Sequence, residues 1–270
     1  MSIFQLNFSG MTKVDAAIKR IQSFEPEEGY YLAFSGGKDS IVVKELCNMA
    51  GVKYDAHYNV TTVDPPELLQ FIKEHHSDVK WEKARYKDGT MITMWNLIPK
   101  RRLPPTRVVR YCCQELKEGG GEGRFVITGV RWDESVRRRA TRGGLEMGIN
   151  KSRRELLDPD NPDNEEMVRI CPTKGKHILN PIIDWSDSDV WEFIKTYNLP
   201  YCELYDKGFK RLGCIGCPMS SHQKEELEQY PKYKANYLKA FQRMLDLMNE
   251  NELKPKWQTP EEVMAWWVKL

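Results

Sequence analysis

The sequence predicts an α/β fold: a doubly wound, mainly parallel sheet of five strands, followed by a C-terminal helical extension. Three observations carry this expectation. Short apolar runs alternate with segments of helical periodicity from about Tyr30 to Pro200. The junctions between them hold turn and capping residues, beginning with a Ser-Gly-Gly turn after the first run. Beyond Tyr201 only helical patterns remain. Strands joined through helices need crossover connections, so the sheet is parallel and covered on both faces.

The elements follow in order. "GYYLAFSGG" is a short apolar strand that runs into a glycine turn, and "DSIVVKELCNMAG" is a helix stopped by Gly51. "YDAHYNV" is the second strand; "VDPPELLQFIKEHH" starts at a proline-marked turn and continues as a helix. "DVKWEKA" is the third strand, and "TMITMWNLIPKRR" a helix halted by Pro104 and Pro105. "RFVITGVR" and "HILNPII" supply the fourth and fifth strands. "WSDSDVWEFIKTYNLP" is a helix with Ser186 as N-cap and Asp189 in the capping-box position. A long helical stretch after Ser220 is interrupted near Pro231, and a final helix is capped by Thr259. The segment from about Thr141 to Thr173 is polar and proline-broken, too long for a simple connection, hence mobile or functional. The expected division is a nucleotide-binding domain over residues 1–200 and a cysteine knuckle with helical extension over residues 201–270.

Composition narrows the class. Of 270 residues, 40% are hydrophobic and 30% charged, as in globular proteins. The N-terminus has no basic-then-apolar leader pattern, and no run of about 18 apolar residues occurs, so the expectation is a cytoplasmic chain with no membrane partner. A net charge of +2 says nothing by itself about nucleic acid. Basic residues do cluster in "PKRRLPPTRVVR" and in "RWDESVRRRATR" with "KSRR", which suits a solvated face and an anion-binding surface equally. Seven cysteines in a cytoplasmic chain point to metal, redox or catalytic chemistry before disulfides. The histidines show no ligand spacing beyond the His75–His76 doublet, and Trp185, Trp191, Trp266 and Trp267 read as packing residues.

Two constellations carry chemistry. In "FSGGKDS" a Ser-Gly-Gly turn between strand and helix leaves backbone N–H groups unpaired at the positive end of a helix dipole, which suits a phosphate or pyrophosphate. Ser35, Gly36, Gly37, Lys38, Asp39 and Ser40 are the candidate binding residues, with Lys38 and Asp39 also candidate catalytic ones. Asp39 beside a phosphate calls for Mg²⁺ or for a helix N-terminal amide. The second constellation is the adjacent pair Cys112–Cys113 with Cys214 and Cys217 at C-x-x-C spacing. Adjacent cysteines rarely bond each other, for reasons of geometry. Four thiols allow a zinc site or a [4Fe–4S] cluster; a redox dithiol at the C-x-x-C and unrelated buried cysteines are the alternatives.

The glycine loop resembles the SGGxDS loop of the PP-loop ATP pyrophosphatase superfamily. The order of that loop, CC, "TGVRWDES", "NPIIDWSDSDVW" and "YDKGFKRLGCIGCP" resembles the adenylylsulfate and phosphoadenylylsulfate (PAPS) reductase family over roughly Tyr30 to Met219. The resemblance implies a fold of the adenine nucleotide alpha hydrolase-like type. It implies that the loop holds the pyrophosphate of ATP or the equivalent groups of an adenylyl sulfonucleotide. It also implies that Cys112, Cys113, Cys214 and Cys217 ligate one [4Fe–4S] cluster. Gly129, Arg131, Glu134 and Ser135 fall on the family's nucleotide motif, followed by Arg138 or Arg139. Thr62 and Asp64 fall where the family has a short adenosine-side motif.

The reductases complete their reaction with a cysteine near the C-terminus, and here no cysteine follows Cys217. Of Cys47, Cys171 and Cys202, Cys171 is the candidate nucleophile, since Arg169 and Lys174 favour its thiolate. The expected function is therefore an enzyme that cleaves ATP between the α and β phosphates and adenylates an acceptor for sulfur transfer. A thiol-dependent sulfonucleotide reductase is the alternative, and a nucleotide-binding accessory protein without turnover the second. The implied partners are an adenine nucleotide and a sulfur-donor protein or thioredoxin-like reductant; a nucleic-acid acceptor and a homodimer are left open.

Overall fold

The structure is a computed structural model that describes residues 2–6, 10–148, 154–170 and 176–269. Its centre is a seven-stranded sheet of order β3-β2-β1-β4-β7-β5-β6. In chain order the strands are β1 (Tyr30–Ala33), β2 (Tyr54–Asn59), β3 (Lys80–Glu82), β4 (Val126–Ile127), β5 (Leu145–Gly148), β6 (Arg154–Leu157) and β7 (Ile178–Leu179). β1 runs parallel to β2 and β4, and β4 parallel to β7. All five expected strands are present and mainly parallel.

The addition is β5–β6, an antiparallel hairpin on the far side of β7. It lies in the polar segment expected to be mobile or functional. Its pattern hides a strand because Glu146, on β5, is 1% exposed. That carboxylate is received by Arg142 (2.5 Å), Arg154 (3.0 Å) and Asn180 (3.0 Å). A buried charge with three donors is tolerable, but the polar letter breaks the apolar run that would announce a strand.

Eleven α-helices cover the described residues: α1 (Lys13–Ser23), α2 (Lys38–Ala50), α3 (Pro66–His75), α4 (Met94–Arg101), α5 (Tyr111–Leu116), α6 (Val136–Thr141), α7 (Pro162–Ile170), α8 (Asp187–Thr196), α9 (Gln223–Gln229), α10 (Pro231–Glu250) and α11 (Pro260–Trp267). Gly51 ends α2 in the left-handed conformation (φ 68°), as its sequence position predicts. The expected break near Pro231 separates α9 from α10, where proline occupies the first helical position. At α8, Ser186 and Asp189 form the predicted capping box. Ser186→Ala should cost about 1 kcal/mol, read as a lower thermal midpoint; an unchanged midpoint would show that solvent replaces the cap.

The chain folds into two compact units that interleave along the sequence. The first takes residues 1–58, 70–80 and 120–210, and the second residues 59–69, 81–119 and 211–270. The boundary expected at residue 200 thus falls inside the first unit. In the first, α1 packs on α2 and α2 on α8. Buried Arg20 ties α1 to Asp160 (2.6 Å) and Asp184 (2.9 Å). In the second, α10 packs on α4 and α11. Tyr237 stands 5.1 Å from Trp95 and 4.7 Å from Trp267 between ring centroids. Trp185 and Trp267 are fully buried, so both are packing residues as expected. No described helix is long and apolar enough to cross a membrane.

Candidate active site

In the first unit the neighbouring parallel strands β1, β4 and β7 end on one edge of the sheet, where open α/β sheets take their ligands. The chain leaving β1 forms the loop Ser35–Gly37 and enters α2. Gly36 has φ 72°, a conformation that glycine adopts without strain. The serine hydroxyls brace the loop rather than stand free. Ser40 Oγ receives the Ser35 N–H at 3.2 Å and donates to Gly37 O at 2.8 Å. The Lys38 N–H donates to the Tyr205 hydroxyl at 3.0 Å. Among the described residues the Gly36 and Asp39 N–H groups donate to nothing. Both lie at the N-terminal end of a 13-residue helix.

Lys38 is buried, its ammonium 3.0 Å from Asp187 and 3.6 Å from Asp39. Arg131 falls on the nucleotide motif that the resemblance implies. It is 2% exposed and gives Nε to Asp39 (2.6 Å), Nη1 to Trp185 O (3.2 Å) and Nη2 to Asp187 (3.1 Å). A guanidinium this deeply buried needs counterions, and those carboxylates supply them. The same contact accounts for Asp39, which holds Arg131 against the first turn of α2. Gly129 has a steric role: a Cβ there would stand 2.8 Å from the backbone C and O of Asp39. Only glycine lets the chain after β4 lie against the loop.

The remaining nucleotide candidates have hydrogen-bond or ion-pair partners within the chain. Ser135 caps α6 by accepting the Arg138 N–H at 3.2 Å, and Glu134 pairs with Arg138. Thr62 and Asp64 belong to the second unit. Thr62 Oγ1 accepts the Met94 N–H at 3.0 Å, at the start of α4. Asp64 accepts the Thr61 N–H at 3.2 Å and the Thr61 hydroxyl at 2.6 Å. Cys171 lies outside the described residues. Sequence reasoning assigned no role to Tyr205 or Asp187, although both sit inside strings that carry the resemblance, "YDKGF" and "DWSDSDVW".

All four expected cysteine ligands belong to the second unit. Cys112 and Cys113 lie in the first turn of α5, after Tyr111. The hydrogen bond from the Cys112 thiol, with the positive charge of Arg110 and Lys117, holds Cys113 below the ordinary thiol range. The same bond, with burial, pushes Cys112 well up. Burial pushes Cys214 up to about 11 against the pull of Lys117. Lys117 is raised in turn, chiefly by the charge of Cys214. The knuckle is built from several sides: Ile215 N–H donates to Val63 O (2.8 Å), Tyr237 to Ile215 O (2.9 Å), and Gly216 N–H to Glu226 (3.0 Å). The charges of Cys113, Cys214 and Cys217 all act on Cys112, so the pairs share one electrostatic region. Among the described residues no group of three or more His, Cys, Asp or Glu side chains is placed to hold a metal ion. Four thiols are a donor set that zinc and iron–sulfur clusters both take.

The sheet edge and its glycine loop define an α/β domain with an anion-binding type of loop at a strand-to-helix turn. The chain belongs to the phosphoadenosine phosphosulfate reductase domain family, whose model matches residues 29–220. The adenosine 5′-phosphosulfate reductase of Geobacillus thermodenitrificans is 25% identical over 56% of this chain and 51% of its own length. A probable FAD synthase of Caenorhabditis elegans is 23% identical over 75% of this chain and 33% of its own. Among solved structures, the phosphate complex of Candida auris phosphoadenylyl-sulfate reductase is 14% identical with a TM-score of 0.43, covering 79% of this chain and 98% of that one. The chain spans less than half the length of the first curated relatives that it matches.

Proposed function

We propose that the chain binds ATP on the loop Ser35–Ser40 and cleaves it between the α and β phosphates, adenylating an acceptor for sulfur transfer. The observation that carries this reading is the pair of undonated N–H groups, Gly36 and Asp39, at the N-terminus of α2 beside the buried Lys38 ammonium. The acceptor's nucleophile attacks the α phosphorus, the bond to the bridging oxygen breaks, and pyrophosphate leaves with its new charge facing those donors. An adenylating reaction also agrees with a probable FAD synthase among the relatives. Asp39 and Asp187 are already paired with Lys38 and Arg131, so the residues present form no dedicated magnesium site. Mg²⁺ would arrive on the triphosphate.

The second reading is thiol-dependent reduction of an adenylyl sulfonucleotide, favoured by the adenosine 5′-phosphosulfate reductase relative. Its phosphosulfate would occupy the same cradle, and its thiolate would come from Cys171 or a partner such as a thioredoxin-like protein. In either reading Cys112, Cys113, Cys214 and Cys217 would hold a [4Fe–4S] cluster, which would supply a one-electron centre when bound. Iron and sulfide in anaerobically prepared protein test that assignment; zinc without sulfide would replace it.

Products decide between the readings. ATP should yield AMP and pyrophosphate, and Lys38→Met should slow this about 10²–10³-fold with the thermal midpoint nearly kept. Clean ADP would overturn the proposal. Sulfite from a sulfonucleotide with thioredoxin and its reductase would establish the reductase. Bound nucleotide without either product would leave an accessory protein.

A further inference from the structure

One donor of the loop in the first unit is already engaged. The Gly36 and Asp39 N–H groups donate to nothing among the described residues, but the Lys38 N–H, which lies between them in the chain, donates to the Tyr205 hydroxyl at 3.0 Å. The phenol oxygen therefore sits where the N-terminus of a helix offers itself to an anion. It also lies against Gly37, where a Cβ would stand 3.5 Å from it. The ring is held from its sides: Trp191 meets it at 5.1 Å between centroids and 87°, and Tyr201 at 6.4 Å and 66°. Tyr205 closes a short 3-10 turn, Glu203–Tyr205, whose neighbours Cys202 and Leu204 are fully buried. A hydroxyl that accepts an N–H still has its own hydrogen to place. Among the described residues the Tyr205 O–H donates to nothing. Burial, against the pull of the Lys38 N–H, raises this phenol well above the ordinary tyrosine value, so it keeps its hydrogen across the neutral range. Two amides and one phenol thus stand together at one helix end, each with a hydrogen to give.

We propose that Tyr205 is a phosphate-binding residue: its hydroxyl receives the Lys38 N–H and donates in turn to an oxygen of the bound pyrophosphate group. The loop then holds that group through the Gly36 N–H, the Asp39 N–H and the Tyr205 O–H rather than through an unbroken run of backbone amides. The inference rests on phosphate binding at this loop, the first part of the reading above, and not on which bond is then cleaved. The competing arrangement is displacement, in which the phosphate takes the Lys38 N–H and expels the phenol. Expulsion would break the edge contacts with Trp191 and Tyr201. The relay keeps them and adds a hydrogen bond to a charged acceptor, which is stronger than a neutral one. A phenol that already accepts an N–H is also the better donor, because bonds in a chain polarise one another.

The test titrates the full chain with inorganic pyrophosphate in a calorimeter. Tyr205→Phe keeps the ring and removes the donor, and should weaken binding about tenfold or more. A chain with para-aminophenylalanine at position 205, which returns a donor to the ring, should recover most of that loss; a packing role alone would give no such recovery. Equal or tighter binding by Tyr205→Phe would overturn the proposal and show that the phenol competes with the phosphate. Binding by the para-aminophenylalanine chain as weak as that of Tyr205→Phe would overturn it too, because the ring's donor would then contribute nothing. Absence of pyrophosphate binding by the unaltered chain would overturn it together with the assignment of the loop. Products other than AMP and pyrophosphate, with these affinities as expected, would support this inference and remove only the adenylation reading.

Discussion

Gly129→Ala is expected to weaken nucleotide binding at least about 100-fold, although it adds one methyl group. The added Cβ would stand 2.8 Å from the backbone C and O of Asp39 and 3.0 Å from its Cβ. Those neighbours are the first turn of α2, and no flexible side chain can yield in their place. The loop must move by several tenths of an ångström, away from the chain that follows β4. Overpacking of this kind costs about 1–3 kcal/mol of stability, so the protein should still fold. The displacement falls on the Asp39 N–H and on Lys38, the donors proposed to receive the phosphate. Donor geometry decides anion binding, so affinity should suffer far more than the fold. Calorimetric titration with ATP, beside a thermal melt, separates the two. Binding close to that of the unaltered protein would show that the nucleotide does not use this loop.

Arg131→Met should produce the largest loss of stability, about 3–5 kcal/mol. The guanidinium is 2% exposed and serves Asp39, Asp187 and the Trp185 carbonyl together. Methionine fills much of the volume but leaves two carboxylates facing Lys38 alone. Arg131→Lys should recover little, because one ammonium cannot donate in three fixed directions. Adding Asp39→Asn to Arg131→Met should recover part of the loss, since it removes one uncompensated charge. Chemical denaturation of the three variants measures this. A loss below about 1 kcal/mol, the range of exposed pairs, would show that the buried network is not what holds the loop. Activity should fall in all three, since Asp39 positions α2's first turn through Arg131.

How much of this was legible varies with distance along the chain. The cradle was readable because a strand, a glycine turn and a helix start are consecutive, and each has a local signature in "LAFSGGKDS". The cap at Ser186 and the stop at Gly51 were readable for the same reason. The β5–β6 hairpin was not, because Glu146 is buried by virtue of Arg142, Arg154 and Asn180, and Asn180 lies 34 residues away. Thr62 and Asp64 fall where the resemblance has an adenosine-side motif; in the structure Thr62 Oγ1 accepts the Met94 N–H and Asp64 accepts from Thr61.

By itself, then, the sequence determined the alternation of strands and helices, the phosphate-shaped turn, and the two cysteine pairs, since backbone conformation and spacing between neighbours are local properties. The tertiary structure alone decided which groups complete them. It paired Asp39 with Arg131, tied the Ser35 N–H to the Ser40 hydroxyl and that hydroxyl to Gly37 O, brought Tyr205 to the Lys38 N–H, and placed both cysteine pairs in one unit. Burial is the physical reason. A charge or donor withdrawn from water must find its partner wherever the fold supplies one, and that partner has no fixed offset in the chain.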